Sequence, residues 1–221
     1  MLTVEIWSDV VCPFCYVGKR RFENGLGEFE HRQEVQVTWR SFQLDPSARF
    51  VPGRSIYEYL AKSKGIALAT SRRMHDRLAD TAAELGLRYR FDTAVIANTF
   101  DAHRLTHLAK AHGRQEQVEE RLFAAYFTEG RNLGDRETLA ELAAETGLDP
   151  AEAREMLAGT RFADEVRADV MEAGELGADG VPFFLFNRAV SVSGAQPSEL
   201  FLEVLRSIWE EQKERPVPAT R

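Results

Sequence analysis

Cysteine is scarce in this chain, with two among 221 residues, at positions 12 and 15. Two thiols three positions apart cannot form the cross-linked framework of a small secreted domain, so any bridge between them is local and chemical in purpose. Long apolar runs are also missing. Nothing approaches the roughly 18 consecutive apolar residues of a membrane-crossing helix, and no membrane partner is expected. A basic excess is missing too: 35 acidic side chains stand against 28 basic ones, a formal charge of −7. That field repels phosphate backbones and anionic lipid, so nucleic acid is not an expected partner. Glu5 and Asp9 interrupt the first apolar residues, and no basic residue precedes Lys19. This is not the pattern of a secretory signal, and the expectation is a cytoplasmic protein.

What remains is an ordinary globular composition, 44% hydrophobic and 29% charged, able to bury a substantial core without staples. Leu2–Ser8 alternates and suits a buried strand. Helical signals begin directly after Cys12, with Pro13 at the first helical position and Phe14, Val17, Phe22 and Leu26 as a rough apolar stripe. Residues 35–42 alternate again. Strand, helix, strand makes a βαβ unit with the cysteines at the carboxyl end of the first strand, the edge that ligand sites in open sheets favour.

The Pro-, Ser- and Gly-rich residues 45–54 leave this unit and lead into helices: residues 70–85, about 93–112 and 114–128, then segments capped by Asp135 and by Asp149 with Pro150. Strand character returns after Gly180, in residues 181–186 and 189–193 around the polar turn Asn187–Arg188, and Pro197 opens a last helix. The expected architecture is α/β, one mixed sheet with flanking helices interrupted by an all-helical insertion. It divides into a βαβ part over residues 1–50, the insertion over 51–160, a ββα part over 161–215 and a loose tail over 216–221.

Cys12–Pro13–Phe14–Cys15 is the tetrapeptide that carries chemistry. Thiolates, not thiols, attack disulfides, so a useful site must favour a negative sulfur. A helix N-terminus does so with its free N–H groups and dipole, by about 0.3–2 kcal/mol. Cys12 is then the nucleophile, and Cys15, one turn on, the resolving thiol. Pro13 fixes the turn, and Phe14 adds apolar contact without charge. No histidine lies between the cysteines, so a moderate redox potential is expected. Zinc is the competing explanation, but it needs four ligands, or three and a water, and no third cysteine exists. His103 and His107 share a helix face, yet lack the glutamate of a zinc hydrolase motif between them; no metal is expected. An inert, hidden thiol pair is not expected at such a helix end. Asp9 and His103 are accessory candidates, although Asp9 is as simply read as satisfying nearby N–H groups and His103 as a surface residue. Lys19–Arg20–Arg21 reads as a solvated charge cluster.

Residues 8–18, from Ser8–Asp9 through the cysteines to Val17–Gly18, form a recognisable pattern together with Gly180–Val181–Pro182–Phe183–Phe184, Ser193–Gly194–Ala195–Gln196 and the segment Asn98–Thr99–Phe100–Asp101–Ala102–His103–Arg104. It resembles the DsbA-like thioredoxin family, and within it the FrnE-like cytoplasmic branch. The resemblance implies a thioredoxin fold with a helical insertion, a cis Val181–Pro182 bond, and a substrate platform made by Val181 and Pro182 beside Cys12. It implies a protein disulfide oxidoreductase acting on protein or small-thiol substrates, with no bound cofactor and glutathione as a candidate co-substrate. Some FrnE-like proteins carry a further cysteine pair near the C-terminus, which this chain lacks. The related kappa-class glutathione transferases and hydroxychromene-carboxylate isomerases have serine where Cys12 stands. A glutathione-dependent isomerase or transferase is thus one alternative function, and a noncatalytic peptide-binding module another.

Overall fold

At the centre of the sheet, β1 (Leu2–Ser8) is buried along its length except at Thr3. The chain continues through α1 (Pro13–Glu28) into β2 (Val35–Ser41), which lies parallel to β1 in register from Leu2 opposite Val35 to Ser8 opposite Ser41. This is a computed structural model and it describes residues 1–214; the loose tail expected at 216–221 lies outside the described residues. A helical block follows: α2 (Ile56–Lys64), α3 (Leu68–Glu84), α4 (Phe100–Ala111), α5 (Gln115–Ala124), α6 (Arg136–Glu145) and α7 (Pro150–Ala158). Then come α8 (Ala163–Glu175), the hairpin β3 (Phe183–Phe186) and β4 (Val190–Ser193), and α9 (Ser198–Glu214). The sheet order is β2-β1-β3-β4, with β3 antiparallel to both its neighbours. This is the thioredoxin-like mixed sheet with additional helices that the alternation and the motifs pointed to.

The two faces of the sheet bury different sets of side chains because successive strand residues point opposite ways. Leu2, Val4 and Ile6 face α1 and α9, where Phe22, Phe184, Phe186 and Phe201 fill the space. Trp7 faces the other side with Phe183, Leu185 and Ala173 of α8, and its indole N–H donates to the Asp169 carbonyl at 2.9 Å. The three strand phenylalanines are therefore core, each worth about 1.5–3 kcal/mol of burial, and none lines a groove. Glu5 breaks the apolar pattern because Arg40 and Arg188 pair with it on the α8 side. The hairpin turn matches its sequence: Asn187 and Arg188 both have positive φ, and Ala189 N–H donates to the Phe186 carbonyl at 2.9 Å. That is the two-residue turn whose twist suits adjacent strands.

Three elements differ from the sequence expectations. The helix expected at about 93–112 begins at Phe100, because Asn98 spends its side chain on the Pro46 carbonyl and the Phe100 N–H. The helix expected to reach residue 128 narrows to α5 and continues as a π-helical turn, Ala125–Glu129. The ββα stretch opens with α8, whose acidic surface obscured its four buried positions, Ala163, Val166, Asp169 and Ala173.

The packing of α1 on α9 depends on a close approach at Gly25. A Cβ there would lie 2.5 Å from the Ser198 carbonyl oxygen and 3.1 Å from the Leu202 nitrogen. Backbone atoms cannot move aside without shifting a helix, and overpacking of this kind costs about 1–3 kcal/mol. Gly25→Ala is expected to lower the stability by that amount in denaturant unfolding, despite the higher helix propensity of alanine; an unchanged or raised midpoint would contradict this packing.

Candidate active site

The chain turns from β1 into α1 at Asp9, whose carbonyl accepts the Cys12 N–H at 2.8 Å. Cys12 is the N-cap of α1 in extended conformation, and Pro13 takes the first helical position. The Cys12 carbonyl accepts the Cys15 N–H at 3.0 Å and the Tyr16 N–H at 3.4 Å, so Cys15 stands in the first turn. Both thiols are free. Beside them the Val181–Pro182 bond is cis, and the Cys12 thiol donates to the Val181 carbonyl oxygen at 3.6 Å. Pro182 reaches α1 itself, because a Cβ on Gly18 would lie 2.7 Å from Pro182 Cγ. The Pro182 carbonyl accepts the Gly194 N–H at 2.8 Å, which joins the Ser193–Gln196 motif to this loop.

Both cysteines are more buried than the helix end suggested. Cys12 is 3% exposed and Cys15 1%. The reason lies in the insertion: α2, α3 and the loop after β2 roof the strand edge, leaving a cleft of about 540 Å³ on which Cys12, Pro13, Phe14, Val181 and Asp9 all open. Leu44, Ile56, Leu60, Leu78, Phe91 and Tyr126 are among its apolar lining. Phe14 is itself half exposed at the rim. Tyr89 packs under the first turn, stacked on Phe127 at 4.5 Å, and its hydroxyl donates to the Pro13 carbonyl at 2.7 Å.

The resolving thiol is the more deeply placed one. Burial first, and then the neighbouring Cys12 sulfur, push the Cys15 thiol well above its ordinary range, while the Asp9 N–H and the Ser8 hydroxyl pull the other way. Asp9 does several things at once: its carboxylate accepts the Leu44 N–H at 2.8 Å and lies 3.5 Å from His103 Nε2. His103 is 1% exposed, not a surface residue. His107, expected to share a face with it, serves a different carboxylate, Asp169, at 3.0 Å, with Ser41 Oγ 3.2 Å from the same nitrogen. One nitrogen facing both partners, and a serine 1% exposed, make this a structural tie and not a nucleophile with its base. Among the described residues no three histidine, cysteine, aspartate or glutamate side chains converge as a metal site.

Lys19 is likewise not a solvated charge. It is 2% exposed and held by Glu23, by Glu116 at 2.6 Å and by Glu120 at 2.7 Å, which fastens α1 to α5. The remaining motif, Asn98–Arg104, is structural at its end: Arg104 donates to the carbonyls of Met156, Gly159 and Arg161 and pins the turn between α7 and α8. The sequence reading passed over Ser8, Tyr89 and Glu119. Only Glu119 carried a usable signal, being an acid beside the apolar positions Val118, Leu122 and Phe123 of α5.

A family model described as the DSBA-like thioredoxin domain matches residues 3–206. The chain belongs to the DsbA-like thioredoxin family. It is 30% identical over 214 residues to the uncharacterized protein YwbO of Bacillus subtilis, covering 96% of this chain and 98% of that one. A solved structure of a probable DsbA oxidoreductase from Streptomyces coelicolor superposes with a TM-score of 0.92 at 43% identity, over all of this chain and 94% of the other. The cytosolic disulfide reductase DsbM of Pseudomonas aeruginosa shares the fold at a TM-score of 0.67 and 19% identity, over 95% of this chain and 99% of that chain. As a DsbA-like protein with a cysteine pair at the expected place on its first helix, the chain has the framework of a disulfide oxidoreductase.

The Lys19 cluster gives a pH-dependent test of how that framework is fastened. Burial pushes the Glu120 carboxyl up, but Lys19 outweighs it and leaves Glu120 below its ordinary value. Its contribution to stability is therefore complete above the unfolded carboxylate range and is lost as pH falls through the lowered folded value. Lys19→Ala removes the shared partner of three carboxylates, two of which, Glu23 and Glu120, keep Arg20, and is expected to cost about 3 kcal/mol at neutral pH, the low end for a broken buried network because the acids are partly exposed. The deficit should shrink in acid, as Glu120 protonates; a deficit that stays constant from neutral to acid pH in urea unfolding would count against the cluster.

Proposed function

We propose that this protein catalyses reversible dithiol–disulfide exchange on protein or small-thiol substrates. Cys12 attacks a substrate disulfide, its sulfur bonding to one substrate sulfur while the other leaves with the electron pair. Cys15 then attacks Cys12 Sγ in the mixed disulfide, the second substrate sulfur departs, and the enzyme holds the Cys12–Cys15 disulfide. Two electrons have passed from the cysteine pair to the substrate, and the reverse sequence oxidises a dithiol.

The observation that carries this reading is the Cys12 sulfur at the N-cap of α1, bordering the cleft and within reach of the Val181 carbonyl. The helix N-terminus is the place where a thiolate is best tolerated. Val181 and Pro182 form the platform for the substrate backbone, and Pro13 and Phe14 form the adjoining rim. Asp9 and His103 are accessory to the cysteines and not partners in bond making. Apolar lining in the cleft supports substrates whose disulfide is flanked by bulky uncharged groups.

The reading includes a cytoplasmic, FrnE-like protein that needs no bound cofactor and uses glutathione, if at all, as a co-substrate. None of the described helices is long and apolar enough to cross a membrane. A glutathione-dependent isomerase would tolerate loss of Cys15, and a binding module would tolerate loss of both cysteines; exchange tolerates neither.

Insulin reduction with dithiothreitol as electron source tests the assignment. Cys12→Ser is expected to lower turnover by at least about 10²-fold, as removal of a nucleophile does. Cys15→Ser should also lose turnover and should accumulate a mixed disulfide at Cys12, visible by mass spectrometry. Full activity in Cys12→Ser would sink the proposal.

A further inference from the structure

The first turn of α1 leaves one amide free. A helix start has N–H groups without intrahelical partners, so each must find a bond elsewhere. The Cys12 N–H goes to the Asp9 carbonyl, Pro13 has no N–H, and the Cys15 and Tyr16 N–H groups both go to the Cys12 carbonyl. The Phe14 N–H has no hydrogen-bond partner among the described residues. Phe14 occupies the second helical position, and an N-cap side chain accepts from the second or third N–H. With the third already bonded, the Phe14 N–H is the donor left for the Cys12 sulfur. In the thiol form that sulfur donates to the Val181 carbonyl and makes no cap bond. A thiolate has no proton to give Val181, and it turns to the amide as an acceptor.

The carbonyl of the same peptide group belongs to Pro13, and the Tyr89 hydroxyl donates to it at 2.7 Å across 76 residues of chain. Tyr89 lies between α3 and α4 and is held from both sides. Thr128 Oγ1 donates to the Arg88 carbonyl and the Arg90 N–H to the Phe127 carbonyl, each at 2.7 Å. Phe127 also stacks on the Tyr89 ring, with centroids 4.5 Å apart. Phe127 and Thr128 both belong to the π-helical turn Ala125–Glu129. Such turns are rare and concentrate at functional sites, and this one supplies both braces of the residue that touches the reactive turn. Burial, and then Cys12, Tyr16 and Cys15 nearby, hold the Tyr89 phenol above its ordinary range against the pull of the Val17 N–H, so its proton stays in place to donate.

Hydrogen bonds at the two ends of one amide reinforce each other, because a donor on the carbonyl draws electron density from the N–H and strengthens it as a donor in turn. We propose that Tyr89 is a positioning residue for the exchange reaction, stabilising the Cys12 thiolate through the Pro13–Phe14 peptide group. The reduced protein gains from this bond, and the disulfide, in which Cys12 carries no charge, does not. Tyr89 thereby favours the dithiol form and makes the protein a stronger oxidant than it is with phenylalanine at that position. Cooperative strengthening is about 10–30% per bond, and on a bond to a charged group that amounts to a factor of up to about five in an equilibrium constant.

This inference rests on the exchange reading, and its test separates the two. Wild-type and Tyr89→Phe proteins are equilibrated at neutral pH with glutathione, so that protein dithiol and glutathione disulfide give protein disulfide and two glutathione thiols. Phenylalanine keeps the ring stack and removes only the hydroxyl. The constant for disulfide formation is expected to rise about twofold to fivefold in the variant. Urea unfolding of the two redox forms gives a second readout, in which the reduced variant loses stability relative to the oxidised one by the same factor. A hydroxyl that merely supports the fold lowers both forms alike and leaves the constant unmoved. That result, or a constant that falls, overturns the role of Tyr89 and leaves exchange standing. Wild-type protein that forms no Cys12–Cys15 disulfide at any glutathione ratio overturns the exchange reading, and this inference with it.

Discussion

The bond from the Cys12 N–H to the Asp9 carbonyl, 2.8 Å long, hands the chain from β1 into α1 and decides where the first helical turn stands. Asp9 can hold that position because its carboxylate is tied at 2.8 Å to the Leu44 N–H in the loop after β2 and faces His103 on α4. One residue therefore joins the strand end, the reactive helix and the insertion. A single hydrogen bond nets only about 0.5–1.5 kcal/mol. Its importance here is geometric: the Cys12 sulfur meets Val181 only if the turn starts where it does. Gly18 completes the arrangement by letting Pro182 rest on α1, where a methyl group would meet the proline ring at 2.7 Å.

The insertion shares an apolar core with the start of α1, and polar contacts fix how it docks. Lys19 crosses from α1 to Glu116 and Glu120 on α5. Gln115 completes the free edge of β2, accepting the Trp39 N–H and donating to the Trp39 carbonyl, each at 3.0 Å. A strand edge left open is a site for unwanted pairing, and a glutamine side chain imitates the missing neighbour. On the opposite side Asp169 gathers Arg40, the Ser41 N–H and His107, linking α8, β2 and α4. Buried ion pairs of this sort add little net stability over apolar packing but specify one arrangement, because a shifted docking would leave charges unpaired. The cleft walls inherit that precision.

Burial and reactivity pull against each other at this site. The same enclosure that excludes water from the cysteines raises the Cys15 thiol and makes its charge expensive. A helix N-terminus relieves the outer sulfur, where the N–H groups and the dipole converge, but its influence fades within the first turn. The inner sulfur, 1% exposed, lies beyond that relief.

Local pattern was enough for much of this molecule. Alternation placed β1 and β2, the polar pair Asn187–Arg188 placed the hairpin, and Cys-Pro-Phe-Cys after a strand placed a thiol pair at a helix start, because strand pleat, turn chirality and helix capping are set by neighbours in the chain. The extent of burial was not legible in the same way. Lys19 has the sequence surroundings of a solvated lysine and His103 those of a surface histidine, yet both are enclosed, because acids that accept them, Glu116 and Glu120 for Lys19 and Asp9 for His103, lie roughly a hundred residues away in the chain. The roof over Cys12 has the same origin. Pairings between distant segments are chosen by the total fit of the packed elements, and no window of sequence contains that information.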